Sequence, residues 1–269
     1  MGAIDISQIA TWPTDLLAAV EKAKPHLVNW VERQQAINKL CKKDVLARIH
    51  PPPNEHQCSA DKHTARFDDV LSKHLFVVRH CTRLCDVDIE RIQKTGMLPL
   101  TPEMTKLRLA EMQERGYLSA ADASVLESES QSGHSERRGI TCWILGHKPL
   151  REEDSVGGMF SYWGGEAMYC AHEDEPLGDV LRSLGTAAIV EACVPYELLH
   201  TSNSIFNSIG EMLRKAVADA EPTSEFDFEV TTTETVQPKQ IRDIVLHGDD
   251  DFEALTGASK WVSDLRASP

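Results

Sequence analysis

Phe76-Val77-Val78-Arg79-His80-Cys81-Thr82-Arg83-Leu84 is the stretch on which the reading of this chain turns. Its apolar, β-branched opening predicts a strand over 75–80, because branched side chains fit a pleated, half-buried surface. The strand ends in a histidine, one spacer and a hydroxyl residue. In extended backbone His80 and Thr82 share one face and Cys81 points to the other. Such an ending offers an imidazole, a hydroxyl and the spacer's main chain to one small polar ligand, as a nucleotide-binding strand does. Arg79 and Arg83 flank it and suit a pyrophosphate, or equally an ordinary ion pair. Taken alone, a strand-end histidine is more often structural than a ligand.

Downstream, residues 87–95 have helical spacing (Val87, Ile89, Ile92) and stop at Gly96, a suitable C-terminal cap. A second helix is predicted over 102–115, closed by Gly116, and a third over 119–126, opened by a serine cap. Residues 127–138 are poor in apolar side chains and read as a mobile loop. Upstream, Leu17, Val20, Ala23, Leu27, Trp30 and Val31 fall on one helical face, which predicts one or two amphipathic helices interrupted near Pro25. Pro51-Pro52-Pro53 breaks regular structure, since proline lacks an amide donor and restrains its predecessor. Residues 51–68 are therefore expected as a loop. An N-terminal helical region of residues 1–68 precedes a domain of residues 69–269 that carries a helical insertion at about 102–138.

Strands are expected over 140–145, 165–171, 187–194, 226–232 and 241–246, with a helix over 205–220. Without regular βαβ alternation or a Gly-x-Gly-x-x-Gly turn, the predicted class is α+β and not a doubly wound sheet.

Composition narrows the setting. The 269 residues suffice for a substantial core, and 41% hydrophobic with 26% charged residues is ordinary globular composition. No apolar run approaches the roughly 20 residues that span a bilayer, and the N-terminus lacks a basic region followed by an apolar core. A cytoplasmic protein without a membrane partner is expected. Seven cysteines without repeated spacing do not make a disulfide framework and fit a reducing compartment. A net charge of −14 disfavours nonspecific adhesion to nucleic acid or anionic membrane, though a locally positive cleft would still admit a nucleic-acid substrate. His56, Cys58 and His63, and the pair Cys81 and Cys85, lack zinc-ligand spacing, so no metal is expected. The acidic run at 247–251 reads as a solvated turn that ends the domain.

Trp163-Gly164-Gly165-Glu166-Ala167-Met168-Tyr169-Cys170-Ala171 is the second signal. Two glycines permit positive φ or close backbone approach, and Tyr169 arrives within the strand expected to follow. A tyrosine there stacks on a flat ring, or simply joins a core. Glu166 is a candidate acid beside the turn, or a solvated carboxylate.

Together these segments resemble NAD-dependent ADP-ribosyltransferases of the diphtheria-toxin and poly-ADP-ribose-polymerase type. His80-Cys81-Thr82 looks like their His-x-Thr/Ser, and Gly165-Glu166-Ala167-Met168-Tyr169-Cys170-Ala171 is similar to their Gly-x-x-x-Tyr-Phe-Ala. The apolar residues 188–194 and the segment Phe228-Glu229-Val230, ahead of Val236-Gln237-Pro238, follow in the family's order.

The resemblance implies an α+β fold with a split β-sheet core and NAD, as substrate, in a cleft between two small sheets. It implies that His80 binds the NAD ribose, that the Cys81 main chain holds the nicotinamide amide, and that Thr82 supports that pocket, with Arg83 and Gly165 at its walls. Tyr169 would stack on the nicotinamide. Glu229, chosen among Glu225, Asp227, Glu229 and Glu234 for its distance to Val236-Gln237-Pro238, would be the catalytic carboxylate alongside His80 and Tyr169. The implied activity is transfer of ADP-ribose to a macromolecular acceptor, protein or nucleic acid, with release of nicotinamide, as in toxins and phage-defence effectors. The N-terminal helices and the insertion would shape target recognition or autoinhibition. NAD hydrolysis on the same fold, and a nonenzymatic nucleotide- or protein-binding module, are the alternatives.

Overall fold

The computed structural model describes residues 2–201, 206–218, 228–263 and 265. Glu225, Asp227 and the first residues of the strand expected over 226–232 lie outside the described residues. The helices are α1 (Thr14–Lys43), α2 (Val45–Ile49), α3 (Gln57–Leu71), α4 (Asp86–Thr95), α5 (Pro102–Glu114), α6 (Ala120–Glu129), α7 (Glu153–Ser161), α8 (Glu166–Tyr169), α9 (Pro176–Ser183), α10 (Ile209–Ala218) and α11 (Asp250–Thr256). The strands are β1 (Leu75–Leu84), β2 (Thr141–Ile144), β3 (Thr186–Pro195), β4 (His200–Thr201), β5 (Glu229–Thr232) and β6 (Ile241–Leu246).

All six strands join one antiparallel sheet in the order β4-β5-β2-β1-β3-β6. Helices with a wholly antiparallel sheet make a mixed α and β fold, in keeping with the missing βαβ alternation. Two separate small sheets were expected; the two halves instead meet at one rung. β1 pairs with β3 from Leu75↔Pro195 to Leu84↔Thr186, but with β2 only at Arg79↔Ile144. On that same edge of β1, Ile4 occupies the place before the rung: its amide donates to the Leu75 carbonyl, and the Val77 amide donates to the Ile4 carbonyl, both at 2.8 Å. Beyond Arg79 no strand among the described residues pairs with this edge.

The two faces of β1 bury different things. Phe76 and Val78 enter the main core with Leu16, Leu27, Phe67, Trp143, Val194 and Leu213. Cys81 faces the other way, into a cluster with Leu150, Val156, Phe160 and Phe252. The N-terminal helices thus share one continuous core with the sheet.

Several sequence expectations need correction. β1 runs on to Leu84, so His80 and Thr82 sit within the strand and not at its end; the unbroken partner β3 carries it there. Pro25 does not interrupt α1. It is exposed, between the buried Ala23 and Leu27, so water solvates the carbonyl that loses its donor. The loop expected over 51–68 ends early, because α3 buries Ala60, Thr64, Phe67, Val70 and Leu71 at helical spacing. Residues 127–138 are partly helical, with α6 reaching Glu129 and a 3-10 turn at Gln131–Gly133. The acidic run leads into α11, whose Phe252 is buried. No helix among the described residues is long and apolar enough to cross a membrane.

Candidate functional site

The stretch of β1 that has lost its partner on the β2 side borders a cavity of about 250 Å³. His80, Thr82 and Leu84 line it from the face that, two residues earlier, carries the main core. β2 contributes Thr141 and Cys142, and β5 contributes Glu229. The segment after α4 closes another side with Met97, Leu98 and Leu100. It is held there because Met97 and Val236 exchange backbone hydrogen bonds at 2.9 and 3.0 Å. Gly96, which makes the turn into it at φ +80°, lies so close that a Cβ would meet the Val236 carbonyl oxygen at 2.0 Å. A side chain at 96 is excluded both by that contact and by the backbone angle.

His80 spans the opening. Its Nδ1 lies 2.8 Å from the Cys142 carbonyl oxygen, which can only accept, so Nδ1 carries the proton and Nε2 keeps its lone pair. The Trp143 ring meets the imidazole edge-on at 5.8 Å and is itself fixed by donation from Nε1 to Thr232 Oγ1 at 3.0 Å. Burial lowers the His80 pKa; the Cys142 carbonyl opposes this and the Arg108 charge adds to it. The ring is therefore neutral at pH 7.

Cys81 lines the cavity although its thiol packs in the opposite cluster. What it presents to the cavity is main chain. Leu75 and Val77 direct their backbone groups toward Ile4, on the β2 side. In a strand this direction repeats every second residue, so the Cys81 N–H and C=O point into the opening. Burial pushes the Cys81 thiol pKa up, so the thiol is not a nucleophile here.

Of the residues singled out in the sequence, His80, Cys81, Thr82, Gly165 and Glu229 all line this cavity. Three do not. Arg83 is buried, with Nε donating to the Leu184 carbonyl at 2.6 Å and Nη1 to the Phe160 and Leu265 carbonyls at 3.0 Å. It ties three segments together behind the sheet and faces no ligand. Arg79 is likewise withdrawn: its Nη2 is 2.6 Å from Asp5 Oδ2 and 2.9 Å from Glu191 Oε2. An odd-numbered position on β1 shares the Cys81 face, which is why both arginines miss the cavity.

Tyr169 is the third exception. Residues 165–171 do not form a strand; Gly165, at φ +69°, opens the short helix α8. Glu166, Ala167 and Met168 favour helix and none of the segment is β-branched. Tyr169 is buried and stacks on Tyr162, ring centroids 4.9 Å apart at 18°. It belongs to the core of the insertion, with Leu109, Met112, Leu126 and Trp163. Glu166 does line the cavity and pairs with Arg137 at 3.2 Å.

Arg137, with Arg138, is open in the sequence as part of a positive rim, but Arg91 and Arg108 carry no such signal. Arg91, Arg108 and Arg137 line the cavity, as does Met104. Met104 and Arg108 lie one turn apart on α5 and Arg91 one turn beyond Val87 on α4, while Arg137 follows the 3-10 turn Gln131–Gly133. Comparison of the chain with models of protein families, with proteins of described function and with solved structures finds no match.

Proposed function

We propose that this chain is an NAD-dependent ADP-ribosyltransferase, acting on a macromolecular acceptor and releasing nicotinamide. The observation that carries this reading is the convergence of His80, the Cys81 main chain, Thr82 and Glu229 on one cavity at the parting of a six-stranded antiparallel sheet. A sheet parted between β4-β5-β2 and β1-β3-β6 also supports a split core of the ADP-ribosyltransferase kind. The cavity volume falls just below the roughly 300–1,000 Å³ of small-molecule sites, which suits the nicotinamide and its ribose and leaves the adenosine end further out.

In this scheme the neutral His80 accepts a ribose hydroxyl at Nε2, and the Cys81 N–H and C=O hold the carboxamide. Tyr169 has no part. The apolar walls at Leu84, Ile92 and Met97 take the place of a stacked aromatic. As the C1′–N bond breaks, its electron pair leaves with nicotinamide and positive charge grows on the ribose. A carboxylate at Glu229 stabilises that charge more than it stabilises the ground state. The acceptor nucleophile then bonds to C1′ and gives up its proton.

The test is incubation of the protein and a cell lysate with NAD labelled on the adenylate, followed by protease or nuclease digestion. Labelled macromolecule and free nicotinamide are expected. Absence of both overturns the reading, and nicotinamide without label replaces the macromolecular acceptor by water.

A further inference from the structure

The cations that the sequence placed beside a pyrophosphate, Arg79 and Arg83, are engaged inside the protein. Three others line the cavity; Arg137 pairs with Glu166, and the remaining two, Arg91 and Arg108, lean on one carboxylate. Arg91 Nη2 donates to Asp88 Oδ1 at 2.5 Å, and Arg108 Nε reaches the same oxygen at 3.2 Å. Asp88 is 1% exposed, and its other oxygen accepts from Trp163 Nε1 at 2.7 Å and from the Cys85 amide at 3.1 Å. The Arg108 guanidinium also lies over the Trp163 ring, 4.6 Å from its centre.

Arg108 is thus held at Nε and along one face. Its terminal nitrogens, Nη1 and Nη2, make no hydrogen bond to any described residue, on a side chain that lines the cavity. Arg91 Nε is buried without a hydrogen bond, with Glu111 Oε2 3.4 Å away. Asp88 Oδ1 is shared between two cations, so it cannot fully satisfy either. A guanidinium positioned by a carboxylate and an aromatic ring, with two donors to spare, matches the paired oxygens of a phosphoanhydride.

We propose that Arg108, backed by Arg91, forms an anion subsite that takes the pyrophosphate of a bound dinucleotide. The inference rests on the reading of the cavity as an NAD site. It also changes the role of the insertion. Through α5 the insertion becomes a wall of the nucleotide site.

The test is titration calorimetry on the full chain with ADP and, separately, with nicotinamide riboside, which lacks phosphate. Arg108→Met keeps an apolar stem over Trp163. It is expected to weaken ADP about tenfold or more and to leave nicotinamide riboside unchanged. The ADP affinity of the wild type should fall with added salt more steeply than that of the variant. Should Arg108→Met not fold, Arg108→Lys serves: it keeps the charge but loses the paired donors, and ADP should still bind more weakly. Equal ADP affinity in wild type and variant, or no binding of ADP by the wild type, overturns the subsite. If ADP binds through Arg108 while NAD is never cleaved, the subsite stands and the transferase reading falls.

Discussion

His80 donates from Nδ1 to the Cys142 carbonyl across the gap where β1 and β2 cease to pair. One imidazole thus takes over from a β-ladder, and its tautomer is set by the sheet before any ligand arrives.

That arrangement carries a pH signature. Burial, above all, holds the His80 pKa below its ordinary 6.5. As pH falls through that value the unfolded chain takes up a proton that the folded chain refuses, so stability is greatest above it and declines toward the lower folded pKa. Urea unfolding of wild type and His80→Asn, compared between about pH 8 and pH 5, should show the wild type losing more stability on acidification. Parallel pH profiles would remove His80 as the source.

Glu229 is expected to act on the transition state. Glu229→Gln should slow nicotinamide release about 100-fold or more while the Kd for NAD moves less than about threefold. Equal losses in binding and turnover would make it a binding residue only.

Tyr169 makes the opposite prediction. Tyr169→Phe keeps the stack on Tyr162 and should release nicotinamide at the wild-type rate. Tyr169→Ala empties a buried site and should cost about 3 kcal/mol or more in urea unfolding. A Phe variant that folds normally but has lost turnover would return Tyr169 to the cavity.

Asp88 joins α4, α5 and the segment after α7 through Arg91, Arg108 and Trp163. Its pKa is lowered despite burial, which acts to raise it, because Arg108 and Arg91 favour the charged form. Asp88→Asn leaves two partly buried cations underpaired and should cost about 3 kcal/mol or more. Denaturant midpoints measure this, and a cost under about 1 kcal/mol would show that Glu111 alone compensates the pair.

Period and punctuation made much of this fold legible in advance. β6 at 241–246, the stop of α4 at Gly96 and the serine cap of α6 all follow from local chemistry. The face shared by His80 and Thr82 follows from strand alternation. Other features depended on tertiary context. Pro25 reads as a break until its carbonyl partner is known to face water, and the prolines at 51–53 cast their shadow over α3. Gly164-Gly165 marks a turn equally well before a strand or a helix, and only the pairing of Tyr169 with Tyr162 shows what the helix is for. Arg79 and Arg83 were misplaced by a simpler slip: alternation that puts His80 in the cavity puts its neighbours outside it.

The lone Arg79↔Ile144 rung leaves β1 with what other proteins treat as a hazard, a length of unpaired strand edge inside the sheet. A free edge usually recruits another strand. Here the edge opens on a cavity of about 250 Å³, and the proposed ligand brings a donor and an acceptor of its own. An amide group has both, and by bonding to the Cys81 main chain it would serve as the missing residue of β2.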